Sequence, residues 1–142
     1  MSKRVLVATE KPFAKVAVSG IGVFKQKAAY EMSLLEGYKD KGDYLEAVAS
    51  ANGLIVRSDL VDAEVIRAAP DLKIVVRAGA GYDNIDLKAA TARNIVAMNT
   101  PGQNSNAVAE LVFALMLYLA RGAFSGKSGS ELRGKKIGLQ AY

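Results

Sequence analysis

The chain has no cysteine and no histidine. Without cysteine there is neither a disulfide framework nor a thiolate metal site, which points to a reducing compartment and makes the cytoplasm the expected location. Without histidine, the commonest general acid/base and the commonest metal ligand near neutral pH are missing, so these residues perform no imidazole chemistry. Long apolar runs are lacking too. The longest, Leu111 to Ala120, falls well short of the roughly 20 residues that cross a bilayer. The basic start, Met1-Ser2-Lys3-Arg4, is followed by an apolar stretch from Val5 to Ala8 that Thr9, Glu10 and Lys11 interrupt. That is too short for a signal peptide.

What is present is enough for a folded domain: 142 residues, 51% hydrophobic, with a net charge of +5 and a mean hydropathy of +0.13. The length gives room for one domain with a real core. The lysines and arginines are scattered, and none of their stretches is interleaved with stacking aromatics, which argues against a nucleic-acid face.

Short apolar runs of strand type alternate with helical ones, the pattern of a parallel sheet with crossover helices. Strands are expected at Lys3 to Ala8, Ala28 to Leu35, Gly53 to Arg57, Lys73 to Arg77 and Ile95 to Asn99. Helices are expected around Phe13, Val16, Ala17, Ile21 and Phe24, then at Tyr44 to Ala51, at Ala63 to Ala69 before Pro70, and at Leu87 to Arg93. Asn94 tolerates the left-handed conformation that closes the last of these. Five such strands with interleaved helices predict an α/β, flavodoxin-like doubly wound sheet.

After Thr100-Pro101-Gly102 the pattern changes. Asn104, Ser105 and Asn106 offer side-chain oxygens to cap a helix from about Ala107 to Ala123. That helix is apolar nearly all round, so it is expected to pack between domains or between subunits. Ser125 to Gly129 reads as a linker, and Lys135 to Gln140 as the first strand of a second domain. Gly126-Lys127-Ser128 is not a phosphate-binding loop, because Arg121 stands where its leading glycine belongs and a helix precedes it.

Three features gather at the carboxyl ends of the expected strands. Gly79-Ala80-Gly81 is a poor dinucleotide fingerprint, since Asn84 replaces the third glycine, but its backbone suits a carboxylate. A plain tight turn explains it equally well. Arg57 and Arg77 each end an apolar strand, and two guanidinium groups at one edge suit a doubly anionic small molecule. Either arginine could instead pair structurally with Asp59, Asp83 or Asp86. Asn99 ends the fifth strand at the same edge, where a turn cap is the ordinary reading. Asp83 and Asp86 read as helix caps rather than as a catalytic pair.

The run Arg77-Ala78-Gly79-Ala80-Gly81-Tyr82-Asp83-Asn84-Ile85-Asp86, then Asn99-Thr100-Pro101, Ala107-Val108-Ala109-Glu110-Leu111 and Leu119-Ala120-Arg121, resembles the NAD-dependent D-2-hydroxyacid dehydrogenases. The resemblance runs from about Gly53 to Tyr142. It implies a substrate-binding domain at 1–103, a crossover and dimer-forming helix at 104–126, and at 127–142 a linker with the first strand of a Rossmann domain for NAD. Within the family, Gly53 to Ser58 and the Arg77 to Asp86 run imply a member that oxidises 3-phosphoglycerate to 3-phosphohydroxypyruvate in serine biosynthesis. The substrate contacts implied are Arg57, Ser58, Arg77, the backbone of Ala78, Gly79, Ala80 and Gly81, and Asn99, with Val108 touching the nicotinamide. Many relatives place threonine where this chain has Ala80, so no cofactor contact carries over to that position. The family's glycine fingerprint, catalytic arginine, acidic residue and histidine would all lie beyond Tyr142, and these residues alone are expected to be inactive. The alternatives are a glyoxylate, hydroxypyruvate or lactate dehydrogenase of the same family, or a stand-alone anion-binding module. The expected partners are a small anionic substrate and a second copy of the chain.

Overall fold

A computed structural model of the protein describes residues 3–11, 19, 20 and 30–140. The helix expected around Phe13 to Phe24 and the first residues of the second strand lie outside these, Ser19 and Gly20 excepted. Five strands form one sheet: β1 (Lys3–Thr9), β2 (Tyr30–Glu36), β3 (Gly53–Val56), β4 (Ile74–Arg77) and β5 (Val96–Met98). Their order is β2-β1-β3-β4-β5 and every pairing is parallel, the flavodoxin-like arrangement expected of an α/β chain. The central strands are nearly continuous in apolar residues because helices cover both faces of such a sheet.

Among the described residues the longer helices between these strands are α1 (Lys41–Val48), α2 (Ala63–Ala68) and α3 (Leu87–Ala92). The first starts three residues before the expected Tyr44, because Asp40 caps it by accepting from the Gly42 N–H at 2.6 Å. It cannot run on to Ala51. Asn52 already belongs to the sheet edge, its N–H bonded to the Arg4 carbonyl at 2.8 Å and its amide oxygen to the Arg4 N–H at 2.9 Å. The Asp62 carboxylate caps α2 by accepting from the Glu64 and Val65 N–H groups, both at 3.0 Å. At the other end of α2 the Arg93 guanidinium collects the carbonyls left over before and at Pro70, among them Ala69 at 3.1 Å and Pro70 at 2.7 Å. Asp86 caps α3 through the Ala89 N–H at 2.9 Å, and Asn94 closes it with φ 55°, as expected of a left-handed cap.

Leu54, Val56, Val61, Val65, Ile66, Leu72 and Val75 are fully buried between sheet and helices. Each such side chain contributes about 1.5–3 kcal/mol of transfer free energy. This core belongs to the first of two compact units, Met1–Gly102 and Gln103–Tyr142.

The second unit is built on α4 (Ser105–Ala120). Contrary to expectation, no side chain caps it: Asn104 stands at the cap position with φ −107° and ψ 10°, outside the extended region from which a capping oxygen reaches back. Ser105 and Asn106 are already helical. The helix stops before Ala123, whose φ of 56° kinks the chain into a short 3-10 turn at Gly122–Phe124. The following segment folds back, and the Ser130 N–H takes the Ala120 carbonyl at 2.7 Å. Gly129 permits that return, since a Cβ there would lie 2.4 Å from the same carbonyl oxygen. The strand expected at Lys135 to Gln140 does not form among the described residues. An extended segment becomes a strand only by pairing its backbone, and no described residue pairs with this one.

Candidate anion-binding site

Val56 of β3 stands opposite Arg77 of β4, so Arg57 and Arg77 leave the sheet side by side at its carboxyl edge. Arg57 and Ser58 are exposed, while Arg77 is half-buried. The Arg77 Nε donates to the Arg57 carbonyl at 2.9 Å, which fixes the plane of the guanidinium and leaves both Nη groups to act as donors. The head group rests on Gly79. A Cβ at that position would stand 1.6 Å from Arg77 Nη1. Glycine is therefore the residue that lets the guanidinium lie against the loop. Among the described residues Arg77 has no ion-pair partner, so the structural pairing with Asp59, Asp83 or Asp86 that the sequence left open does not form for it.

The glycine loop is oriented by its carbonyls. The Thr100 N–H bonds the Gly79 carbonyl at 2.9 Å, and the Asn99 Nδ2 donates to the Ala80 carbonyl at 2.7 Å. In a trans peptide the C=O and N–H point in opposite directions. Tying both carbonyls to the end of β5 therefore turns the N–H groups of Ala80 and Gly81 the other way. Neither has an acceptor among the described residues. Two adjacent inward N–H groups of this kind form an anion-binding concavity.

Two expected donors are not available. The Ala78 N–H bonds the Val56 carbonyl at 2.8 Å and the Gly79 N–H bonds the Arg77 carbonyl at 2.9 Å, because these residues are still continuing the sheet and beginning its turn. In the candidate site the N–H groups left to face an anion are accordingly those of Ala80 and Gly81, while Ala78 and Gly79 use theirs within the fold. Asn99 orients the loop through its amide nitrogen. Val108 lies on α4 in the second unit and is 50% exposed.

Asp59 is the residue whose part sequence reasoning missed. It is 5% exposed, and its Oδ1 accepts from the Glu10 N–H and the Tyr38 hydroxyl, both at 2.7 Å. Its Oδ2 faces the Arg57 N–H at 3.4 Å. Burial first, then the hydrogen bond to Asp59, hold the Tyr38 phenol well above its ordinary pKa. Tyr38 also stacks on Tyr44 with ring centroids 5.2 Å apart. These groups sit at the carboxyl ends of β1 and β3, where the strand order of such a sheet reverses and ligands commonly bind. Here the chain's own side chains occupy that crevice. The signal in the sequence was an acidic residue two positions after a strand-ending arginine, which reads as an ion-pair partner until its burial is known.

An apolar groove of about 210 Å³ runs beside the loop, lined by Tyr82, Ile85, Leu87, Ala97, Met98 and Asn99. Among the described residues no acidic cluster could hold a metal ion, and no helix is long and apolar enough to cross a membrane.

Residues 7–132 match the family model of the D-isomer specific 2-hydroxyacid dehydrogenase catalytic domain. The chain belongs to this family. Among curated relatives, the D-3-phosphoglycerate dehydrogenase of Mycobacterium leprae is 43% identical over 114 residues, covering 70% of this chain and 22% of the relative. That of Archaeoglobus fulgidus is 39% identical, covering 96% of this chain and 27% of the relative. The chain thus spans about a quarter of the length of these dehydrogenases. The NAD⁺-bound 3-phosphoglycerate dehydrogenase of Entamoeba histolytica has the same fold, with a TM-score of 0.88 and 50% identity over 93% of this chain and 44% of that one. An NAD-dependent formate dehydrogenase from Staphylococcus aureus, solved with NAD, is similar at a TM-score of 0.71 and 28% identity over 86% of this chain and 40% of that one.

Proposed function

We propose that this chain supplies the substrate-binding part of an NAD-dependent dehydrogenase that oxidises 3-phosphoglycerate to 3-phosphohydroxypyruvate, the entry to serine biosynthesis. The observation that carries the reading is the Arg77 guanidinium, anchored on the Arg57 carbonyl and seated on Gly79 beside the inward N–H groups of Ala80 and Gly81. A doubly anionic substrate would set one anionic group on the two N–H groups and the other on Arg57 and Arg77, with Ser58 at the rim. Charge-assisted bonds of this kind are about twice as strong as neutral ones. D-3-Phosphoglycerate dehydrogenases are prominent among the relatives, and a lactate or glyoxylate would leave one arginine without an anion.

In this reading NAD⁺, held by other residues of the enzyme, would accept the hydride from C2 of the substrate while the hydroxyl proton is released. The described residues of this chain do not form a pyrophosphate site for NAD. Among the described residues, the Gly79-Ala80-Gly81 loop leads to Asp86, whose carboxylate occupies the α3 N-terminus where a pyrophosphate would have to sit. With no histidine, the chain also lacks the base expected to take the proton. In this reading residues 1–103 bind substrate, 104–126 form the crossover and homodimer helix, with Val108 facing the nicotinamide, and 127–142 lead into the NAD-binding domain. The enzyme works in the cytoplasm.

Titration of the ¹⁵N-labelled chain with 3-phosphoglycerate and with D-lactate tests the substrate site. Saturable shifts of the Ala80 and Gly81 amides and of Arg77 Nε, tighter for 3-phosphoglycerate, are expected. Shifts elsewhere, or equal affinity for lactate, would overturn the assignment. In the full-length protein, 3-phosphoglycerate should support NAD reduction, and preference for another 2-hydroxy acid would reject it.

A further inference from the structure

We infer that Asp59 is a positioning residue for the anion site: its buried carboxylate sets the Arg57 backbone, and the Arg57 carbonyl in turn holds the guanidinium of Arg77. The inference rests on the proposed substrate reading, because it concerns the same two arginines.

The contacts run from Asp59 through Arg57 to Arg77, all within 2.9 Å except that of the Arg57 N–H with Asp59 Oδ2, which is longer at 3.4 Å. Asp59 Oδ1 is fixed by two donors from different parts of the fold, the Glu10 N–H after β1 and the Tyr38 hydroxyl after β2, both at 2.7 Å. A carboxylate pinned on one oxygen presents its other oxygen in a set direction, and here Oδ2 faces the Arg57 N–H at 3.4 Å. The Arg57 carbonyl then accepts from Arg77 Nε at 2.9 Å. The same loop is joined to the glycine loop on its far side. Asn84 Nδ2 donates to the Asp59 carbonyl at 2.8 Å, and the Asn84 carbonyl accepts from the Val61 N–H at 2.8 Å. Asp59 thus stands where the turn carrying Arg57 is tied to β1, to β2 and to the loop carrying Ala80 and Gly81.

A buried carboxylate is costly to keep unless it is fully bonded, and an apolar residue with the same turn geometry would meet the demands of packing alone. The directional requirement is different: a guanidinium whose plane is already fixed loses less freedom when an anion binds. Asp59 meets that requirement without touching the ligand.

Substitution separates the two roles. Asp59→Asn keeps an oxygen for Glu10 and Tyr38 but turns an NH₂ towards the Arg57 N–H, so donor meets donor. Tyr38→Phe removes one bond from Oδ1 and leaves the Arg57 contact in place. With 3-phosphoglycerate as the probe on the 142-residue chain, Asp59→Asn should weaken binding about tenfold, the usual weight of one charged hydrogen bond. The Arg77 Nε–H, bonded to the Arg57 carbonyl, is expected to exchange slowly in the wild-type chain, and Asp59→Asn should abolish that protection. Tyr38→Phe should lower the denaturation midpoint and leave both readouts near wild type. Equal weakening by the two variants, or a protected Arg77 Nε–H in Asp59→Asn, would overturn the inference. If Asp59→Asn does not fold, Asn84→Ala cuts the other tether of the same turn, and a several-fold loss of binding is expected; unchanged binding would reject the idea. Arg77→Ala distinguishes this from failure of the substrate reading. If Arg77→Ala binds as wild type does, the site itself is misplaced; if it loses binding while Asp59→Asn does not, only the positioning role fails.

Discussion

The two units of the chain contain apolar residues in similar abundance and use them in opposite ways. In Met1–Gly102 the large aliphatic side chains of β1, β3, β4 and α2 are buried against one another. In Gln103–Tyr142 no described residue is buried, and Leu111, Phe113, Leu115 and Leu119 of α4 are all exposed. Burial, not composition, turns hydrophobic residues into stability. The first unit carries its own core, whereas α4 exposes its apolar side chains, which the homodimer proposed above would cover.

The largest effect should come from the core of the first unit. Leu54→Ala is expected to cost about 2–5 kcal/mol through lost transfer energy and the cavity left behind, measured by urea denaturation of the chain. A loss under about 1 kcal/mol would mean that the core relaxes around the gap, and would blunt the contrast between the units.

Gly79→Ala probes function inside the same unit. The new methyl would meet the end of a flexible side chain, not backbone, so the fold should survive while the guanidinium is pushed off its seat. Binding of 3-phosphoglycerate should weaken about tenfold, the weight of a charged hydrogen bond, with little change in denaturation midpoint.

A smaller effect is expected at the α2 cap. The hydrogen bond from the Lys41 ammonium, then the Val65 N–H, hold the Asp62 carboxyl below its ordinary pKa. A carboxyl lowered by folding contributes stability that is fully present above its unfolded pKa of about 3.9 and is lost as pH falls through the folded value. Asp62→Ala should therefore cost about 1 kcal/mol at neutral pH, chiefly the lost cap, and flatten the acid side of the stability profile. A variant with an unchanged acid limb would assign that limb to other carboxylates.

The smallest folding effect should be at Leu119, 75% exposed on α4. Leu119→Lys is expected to change unfolding of the first unit by less than about 0.5 kcal/mol, while shifting the chain towards monomer in sedimentation velocity. No change in association would place the cover of α4 somewhere other than a second copy.

Much of this was legible in the residues. Short apolar runs marked all five strands, Pro70 ended α2, and Asn94 marked a left-handed stop after α3. What was misread depended on groups distant in sequence. The start of α1 was displaced because Asp40 caps it, and its end because Asn52 pairs with Arg4, a partner 48 residues away. The expected capping of α4 by Asn104 failed on backbone conformation, which residue type alone does not set. Arg57, Arg77 and the glycine loop were recognisable as a possible anion site. Which N–H groups were free was not, since Ala78 and Gly79 spend theirs on Val56 and Arg77.

By itself the sequence determined the alternation of strands and helices, the absence of thiol and imidazole chemistry, and the family to which the chain belongs. The first two follow from residue type and local period, which need no knowledge of what lies alongside, and the family from the motif runs the chain shares with it. Only the tertiary structure decided that Arg77 rests on Gly79, that Thr100 and Asn99 turn the loop's N–H groups away from β5, and that Asp59 lies buried beneath Arg57. Those facts depend on strand register and hydrogen-bond direction across the sheet, where residues far apart in the chain become neighbours.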